Sequence, residues 1–198
     1  MKTWISGICV WAVSAVLVQG QVEIGQPAPG FKALDIEGKT HALSDYKGKI
    51  VVLEAYNMDC PFCAHHFQTG AMQEFQEEVT SQGGVWLVVN SSHAKSGSYR
   101  TPEQARKEFQ QQKMKATAWL DDSSGKIGQA YELKTTPHMI VIDAEGKVAY
   151  NGAIDDDPPG RRKQAERTNY VGTGLASHKA GRDVSPATTK PYGCSVKY

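Results

Sequence analysis

The stretch Ile50-Val51-Val52-Leu53-Glu54-Ala55-Tyr56-Asn57-Met58-Asp59-Cys60-Pro61-Phe62-Cys63 decides the reading of this 198-residue chain. From Ile50 to Tyr56 the run is apolar except for Glu54, the pattern of a central strand covered by helices on both faces. From Pro61 onward, Phe62, Phe67, Met72, Phe75 and Val79 recur at spacings compatible with one buried helical stripe, ended by Gly83-Gly84. The two thiols therefore stand where a strand hands over to a helix. A thiol at a helix N-terminus faces unpaired backbone N–H groups and the positive end of the helix dipole, which favours its thiolate. Cys63, one turn later, is placed to close a disulfide onto Cys60, and the pair reads as redox-active.

Other elements follow from local signals. Phe31 to Asp35 and Thr40 to Leu43 flank Glu37-Gly38 as a hairpin, and Gly25 to Pro29 reads as an extended, proline-stiffened lead-in. Val85 to Asn90 and Ala118 to Leu120 are strand candidates. Thr101-Pro102-Glu103-Gln104 supplies a capping box for a helix to about Gln112, and Gly125 to Tyr131 reads as a short helix. Ser91 to Arg100 reads as a solvated connection, with substrate contact as a second reading. Met139 to Asp143 and Val148 to Ala153 form a hairpin about Glu145-Gly146. The charges and prolines of Asp155 to Lys163 predict an exposed loop, with Arg161-Arg162-Lys163 on a solvated face, before a last helix around Ala165 to Lys179 and a polar tail. Strands alternating with helices and closed by a hairpin give an α/β fold with a central mixed sheet.

Thr135-Thr136-Pro137-His138 lies just ahead of the strand candidate at Met139. Together with Cys60-Pro61-Phe62-Cys63 and with Glu54 six residues before Cys60, it resembles the thioredoxin superfamily, closest to exported redoxins related to the alkyl hydroperoxide reductase/thiol-specific antioxidant group. The resemblance covers about residues 22 to 180 and implies a thioredoxin-like fold with an N-terminal β-hairpin extension. It implies thiol-disulfide exchange, with Cys60 attacking, Cys63 resolving, Glu54 moving a proton and Pro137 forming the cis-proline loop beside the pair. Pro61, Phe62 and Thr136 then line the substrate groove. Taken alone, Pro137 also fits an ordinary trans proline at a strand start, and Glu54 also fits an edge glutamate paired with a lysine. If Glu54 is buried without a cation, its pKa rises toward neutrality, as a base for Cys63 requires.

Two other readings compete. The lead-in and hairpin also resemble peroxiredoxins, but Leu53 and Asn57 stand where that family carries its proline and its hydroxyl, so the group that orients a peroxide is missing. His65, His66 and His138 offer ligands that could join the thiols in a metal-binding carrier, although no second CxxC accompanies them. Both His65 and His66 are otherwise expected to be exposed on the helix.

Composition bounds the rest. Lys plus Arg number 22 against 21 Asp plus Glu, a net charge of +1, which gives no electrostatic footprint for nucleic acid. Residues 1–20 carry a basic start at Lys2, an apolar run from Ile8 to Val18 and small residues before Gln21, the architecture of a signal peptide. This predicts export to a periplasm or the exterior, with no stable membrane insertion once the leader is gone; an uncleaved membrane anchor and a cytoplasmic amphipathic start are the other readings of the segment. Cys9 falls inside that leader as an apolar residue. The expected organisation is a leader over 1–20, a redoxin domain over 21–180 and a tail over 181–198. Removing the leader leaves Cys60, Cys63 and Cys194, an odd set that suits redox work better than stapling. Cys194 reads as a relay, a backup, an intermolecular link or a thiol without a role. No bound organic cofactor is implied. The expected partners are protein or small-molecule disulfides and thiols, and a separate redox partner that recharges the pair.

Overall fold

The computed structural model describes residues 22–158, 160–163, 166–179 and 181–198. The predicted leader and Cys9 lie outside the described residues. A hairpin of β1 (Lys32–Leu34) and β2 (Thr40–Ala42) comes first, turned where Gly38 adopts a φ of +81° that costs glycine little. There follow β3 (Val51–Ala55), α1 (Pro61–Gln68), α2 (Ala71–Thr80), β4 (Val85–Asn90), α3 (Pro102–Gln111) and β5 (Ala118–Asp121). The second half holds α4 (Lys126–Ala130), β6 (Thr135–Thr136), β7 (His138–Ile142), β8 (Val148–Gly152), α5 (Tyr170–Lys179) and β9 (Cys194–Ser195).

The main sheet has the order β5-β4-β3-β7-β8, with β3–β4 and β4–β5 parallel and β3–β7 and β7–β8 antiparallel. All five residues of β3 are buried, because the sheet is covered on both faces. Val52 and Tyr56 join Trp86, Val88, Met139 and helix residues Phe67, Met72 and Val79 in one layer, whereas Val51, Leu53 and Ala55 face Ile127, Tyr131 and Leu133 in the other. Alternation places Glu54 on the first face, under α1 and α2. Each large apolar side chain buried here contributes roughly 1.5–3 kcal/mol. A slip of β3 by one residue would exchange its two faces and carry Glu54 away from its partners, so the register is strongly specified.

Four local expectations are corrected. The single helix predicted from Pro61 to Val79 is two, because Gly70 sits at φ +81°, a left-handed conformation that ends α1 and redirects the chain. The last helix begins at Tyr170 rather than near Ala165; Asp156 holds the Thr168 N–H at 2.9 Å and Asn169 Oδ1 accepts the Gly172 N–H at 3.0 Å at the helix start. Ala165 itself lies outside the described residues. The loop from Asp155 is not uniformly exposed: Asp155 and Asp157 are buried, with Arg167 Nη1 at 3.6 Å from the first and Nε at 3.3 Å from the second. In that loop Arg162 is committed to Asp156, its Nη2 2.6 Å from Oδ1. Ser91 and Ser92 open the connection after β4 from buried positions, Ser91 Oγ donating to Asp122 Oδ2 at 2.7 Å. Among the described residues no helix is long and apolar enough to cross a membrane.

Candidate active site

Chain order and sheet order together bring the redox motif and the distant proline loop into contact. Cys60 stands at the N-cap of α1 with Pro61 at its first turn, where a missing N–H leaves no intrahelical bond unmade. The peptide Thr136-Pro137 is cis, and Thr136 O lies 2.8 Å from Cys60 Sγ across 76 residues of sequence, where it accepts from Cys60 in its thiol form. Pro137, Thr136, Cys60 and Cys63 are all buried, while Phe62 is partly covered beside them. The Cys63 thiol, a contact from Cys194 and the Cys63 backbone N–H favour the Cys60 thiolate over the opposing effect of burial, and its pKa falls to about 4. Burial pushes the Cys63 thiol the other way, and the neighbouring Cys60 reinforces that rise. Asp59, just before the pair, is pinned by Arg100 Nη2 at 2.7 Å, and Arg100 Nε reaches Glu108 at 2.9 Å.

Glu54 is fully buried beneath this pair, which overturns the alternative of an edge glutamate paired with a lysine. Its Oε2 accepts from Trp86 Nε1 at 2.7 Å and Gln76 Nε2 at 3.1 Å, while its Oε1 has no hydrogen-bond partner. Burial dominates over those two donors and raises the carboxyl to about 7. Its negative charge is in turn among the influences that raise the Cys63 thiol.

The polar tail closes over the pair. Strand β9 pairs antiparallel with β6, setting Cys194 opposite Thr136 and Ser195 opposite Thr135. The Cys194 N–H donates to Cys60 Sγ at 3.4 Å, and Thr136 Oγ1 donates to Cys194 O at 3.4 Å. Attack on a substrate disulfide requires an accessible thiolate, yet Cys60 has 0% exposure, with the tail lying against its Sγ. Tyr192, unmarked in the sequence reading, anchors the tail: its ring lies 5.7 Å from that of Phe62, and its hydroxyl bonds Asp155 Oδ1 and, at 3.0 Å, His66 Nε2. The signal available was an aromatic between Pro191 and Gly193 in an otherwise polar tail. Tyr192→Phe leaves the buried Asp155 Oδ1 without that donor, so urea unfolding should show a loss of about 1–2 kcal/mol. An unchanged midpoint would mean that water replaces the hydroxyl at no cost.

His66 is not the exposed helix residue expected; it is buried, held by Tyr192, and burial lowers its pKa to about 4. His138 is likewise committed, its Nε2 to Asn151 Oδ1 at 2.7 Å and its Nδ1 to the Lys134 N–H at 3.1 Å. Among the described residues no group of three or more His, Cys, Asp or Glu is arranged to hold a metal ion. Asn57, at the position of the peroxiredoxin hydroxyl, is buried and accepts the Asp59 N–H at 2.9 Å.

The AhpC/TSA family matches residues 24–151, which spans the hairpin, the cysteine pair and the proline loop. The chain belongs to that family. Within it, this redoxin is 29% identical over 143 residues to the thiol-disulfide oxidoreductase ResA of Bacillus thuringiensis subsp. konkukian, covering 69% of this chain and 77% of that protein. A putative thiol:disulfide interchange protein DsbE from Chlorobium tepidum superposes with a TM-score of 0.54 at 27% identity, over 66% of this chain and 85% of that one. A hypothetical protein from Sinorhizobium meliloti shares the fold more extensively, with a TM-score of 0.74 at 22% identity over 90% of this chain and 96% of its own. Coverage that wide carries the shared fold past residue 151 into the C-terminal segment of the redoxin. The architecture is thioredoxin-like, a mixed sheet between helices.

Proposed function

We propose that this redoxin is a thiol-disulfide oxidoreductase whose working couple is Cys60 and Cys63. The observation that carries the reading is the placement of the two thiols, Cys60 at the N-cap of α1 and Cys63 one turn on, both buried, with Thr136 O 2.8 Å from Cys60 Sγ; the lowered Cys60 thiol and the raised Cys63 thiol agree with it. The Cys60 thiolate attacks a substrate disulfide, forming a mixed disulfide and releasing one thiolate. Glu54, with its carboxyl near 7, takes the proton from Cys63. Cys63 then attacks Cys60 Sγ, the mixed disulfide breaks, and the second substrate thiolate leaves.

The pair itself holds the two electrons, so a separate redox partner recharges it and no organic cofactor takes part. Likeness to proteins named as thiol-disulfide oxidoreductase and thiol:disulfide interchange protein supports this chemistry. The absence of the peroxide-orienting hydroxyl at Asn57 favours it over peroxide reduction. The substrates are protein or small-molecule disulfides, met outside the cytoplasm, since residues 1–20 form an export leader ahead of a redoxin domain over 21–180. Pro61, Phe62 and Thr136 line the groove that receives them.

A redox titration with thiol alkylation and mass mapping tests this. The expected result is one reversible two-electron couple that includes both Cys60 and Cys63, whose midpoint tells reductase from oxidase. Failure of Cys60 to enter any disulfide across the titration would overturn the reading.

A further inference from the structure

We propose that Cys194 is a third redox thiol of this site, presented to Cys60 by a tail that occupies the substrate groove as a tethered peptide. The inference rests on the assignment of Cys60 as nucleophile. It goes beyond that assignment by giving the pair a second, intramolecular exchange partner.

Three independent features of the tail point to it. The first is its mode of binding: β9 adds to β6 by strand pairing, the way an extended peptide docks on an exposed backbone edge, with the cysteine in register with Thr136. The Cys194 side chain thereby comes within hydrogen-bonding reach of Cys60. The second is the residue before it. A Cβ on Gly193 would meet Thr136 O at 2.0 Å, and its φ of +124° is a conformation other residues rarely adopt, so only glycine lets the tail lie this close to the proline loop. The third is anchorage on both sides of Cys194. Tyr192 is tied to Asp155 and His66, and the Tyr198 hydroxyl donates to Leu133 O at 2.8 Å where Gly128 leaves room for its ring. Held between these aromatic anchors, the thiol is delivered to one place.

Exposure gives the arrangement a direction. Cys60 and Cys63 are both sealed, whereas Cys194 is partly exposed, so the tail thiol is the member of the cluster that meets solvent. Once exchange with a substrate has produced the Cys60–Cys63 disulfide, the Cys194 thiolate attacks Cys60 Sγ. The Cys60–Cys194 bond forms as the Cys60–Cys63 bond breaks, and the electron pair of the broken bond goes to Cys63 Sγ. The proton that Cys194 gives up is matched by one taken up at Cys63, with no net oxidation or reduction. The disulfide has then moved from a buried position to one that an external thiol reaches at Cys194.

The test compares Cys63→Ser with Cys63→Ser/Cys194→Ser, each incubated with oxidised glutathione, quenched in acid and mapped by mass spectrometry without reduction. A tethered thiol acts at an effective concentration of about millimolar or more. The single variant should therefore form mainly the Cys60–Cys194 disulfide, with Cys60-glutathione at least about tenfold less abundant than in the double variant. Equal Cys60-glutathione in the two, or no Cys60–Cys194 link in the single variant, overturns the third-thiol role and leaves Cys60 as nucleophile. No Cys60-glutathione in the double variant removes the nucleophile assignment itself. Mapping of the unsubstituted chain at partial oxidation supplies a check independent of any substitution: a Cys60–Cys194 peptide must be found there, and its absence at every potential sinks the proposal.

Discussion

Replacing Gly193 with alanine should speed the alkylation of Cys60 by iodoacetamide about a hundredfold, while Cys63 stays unlabelled. Cys60 is not reactive from the surface in the closed structure, because it has no exposed area under β9. Labelling must wait for the tail to lift, an opening whose free energy sets the fraction of accessible thiol. On the C-terminal side of Cys194 the tail is held by Val196 N–H to Lys134 O at 3.3 Å, His93 N–H to Lys197 O at 2.7 Å and Tyr198 hydroxyl to Leu133 O at 2.8 Å. At a net 0.5–1.5 kcal/mol each, such bonds hold the tail by roughly 3 kcal/mol, or about two decades of protection. A Cβ at Gly193 would lie 2.0 Å from the backbone oxygen of Thr136, a buried residue whose carbonyl is also held against Cys60 Sγ. The strand must therefore leave β6, and the protection goes with it. The two core layers do not depend on residue 193, so Cys63, on the inner side of α1, serves as the internal control. An unchanged labelling rate in a folded Gly193→Ala protein would show that something other than β9 covers Cys60.

What the sequence disclosed and what it hid divide along the range of the interactions. The strand from Val51, the helix start at Cys60-Pro61 and the hairpin about Gly146 are written in runs of a few residues, because periodicity, a proline at the first turn and a turn glycine act locally. Glu54 was legible for the same reason, as one acid in an apolar strand; its partners Trp86 and Gln76 were not, since they arrive from β4 and α2. The break at Gly70 was missed because the apolar stripe continues across it, and only the backbone shows the left-handed turn. Asp155 and Asp157 looked solvated because a cluster of charges usually is, and their burial depends on Arg167 folding back on them. The tail was hardest. Its strand is two residues long and pairs with β6 across 58 residues of sequence, with no periodicity to announce it. Tyr192, Gly193 and Cys194 acquire their meaning only once the cis-proline loop they cover is in place.

Glu54→Gln should make the protein more stable above neutral pH and slower in exchange. In the unfolded chain the carboxyl titrates near 4.5, and in the folded protein burial raises it to about 7. Between these values the folded state holds a proton that the unfolded state has released, so stability falls as pH rises through that window and is level beyond it. A separation of that size corresponds to roughly 3 kcal/mol, the cost of keeping an anion on β3 with two donors on Oε2 and none on Oε1. Glutamine has no such titration. Urea unfolding should therefore find the variant and the parent similar near pH 4, and the variant ahead by up to about 3 kcal/mol at pH 8. The same substitution removes a carboxylate whose charge is among the influences on the Cys63 thiol. Loss of a positioned base typically costs about a hundredfold or more, so resolution of a Cys60 mixed disulfide should slow by that order at neutral pH, while its formation by the Cys60 thiolate is unaffected. Parallel stability curves would place the Glu54 carboxyl in an ordinary environment. A stability gain without slower resolution would leave Glu54 as a buried acid that the reaction does not use, and Cys63 would then lose its proton by another route.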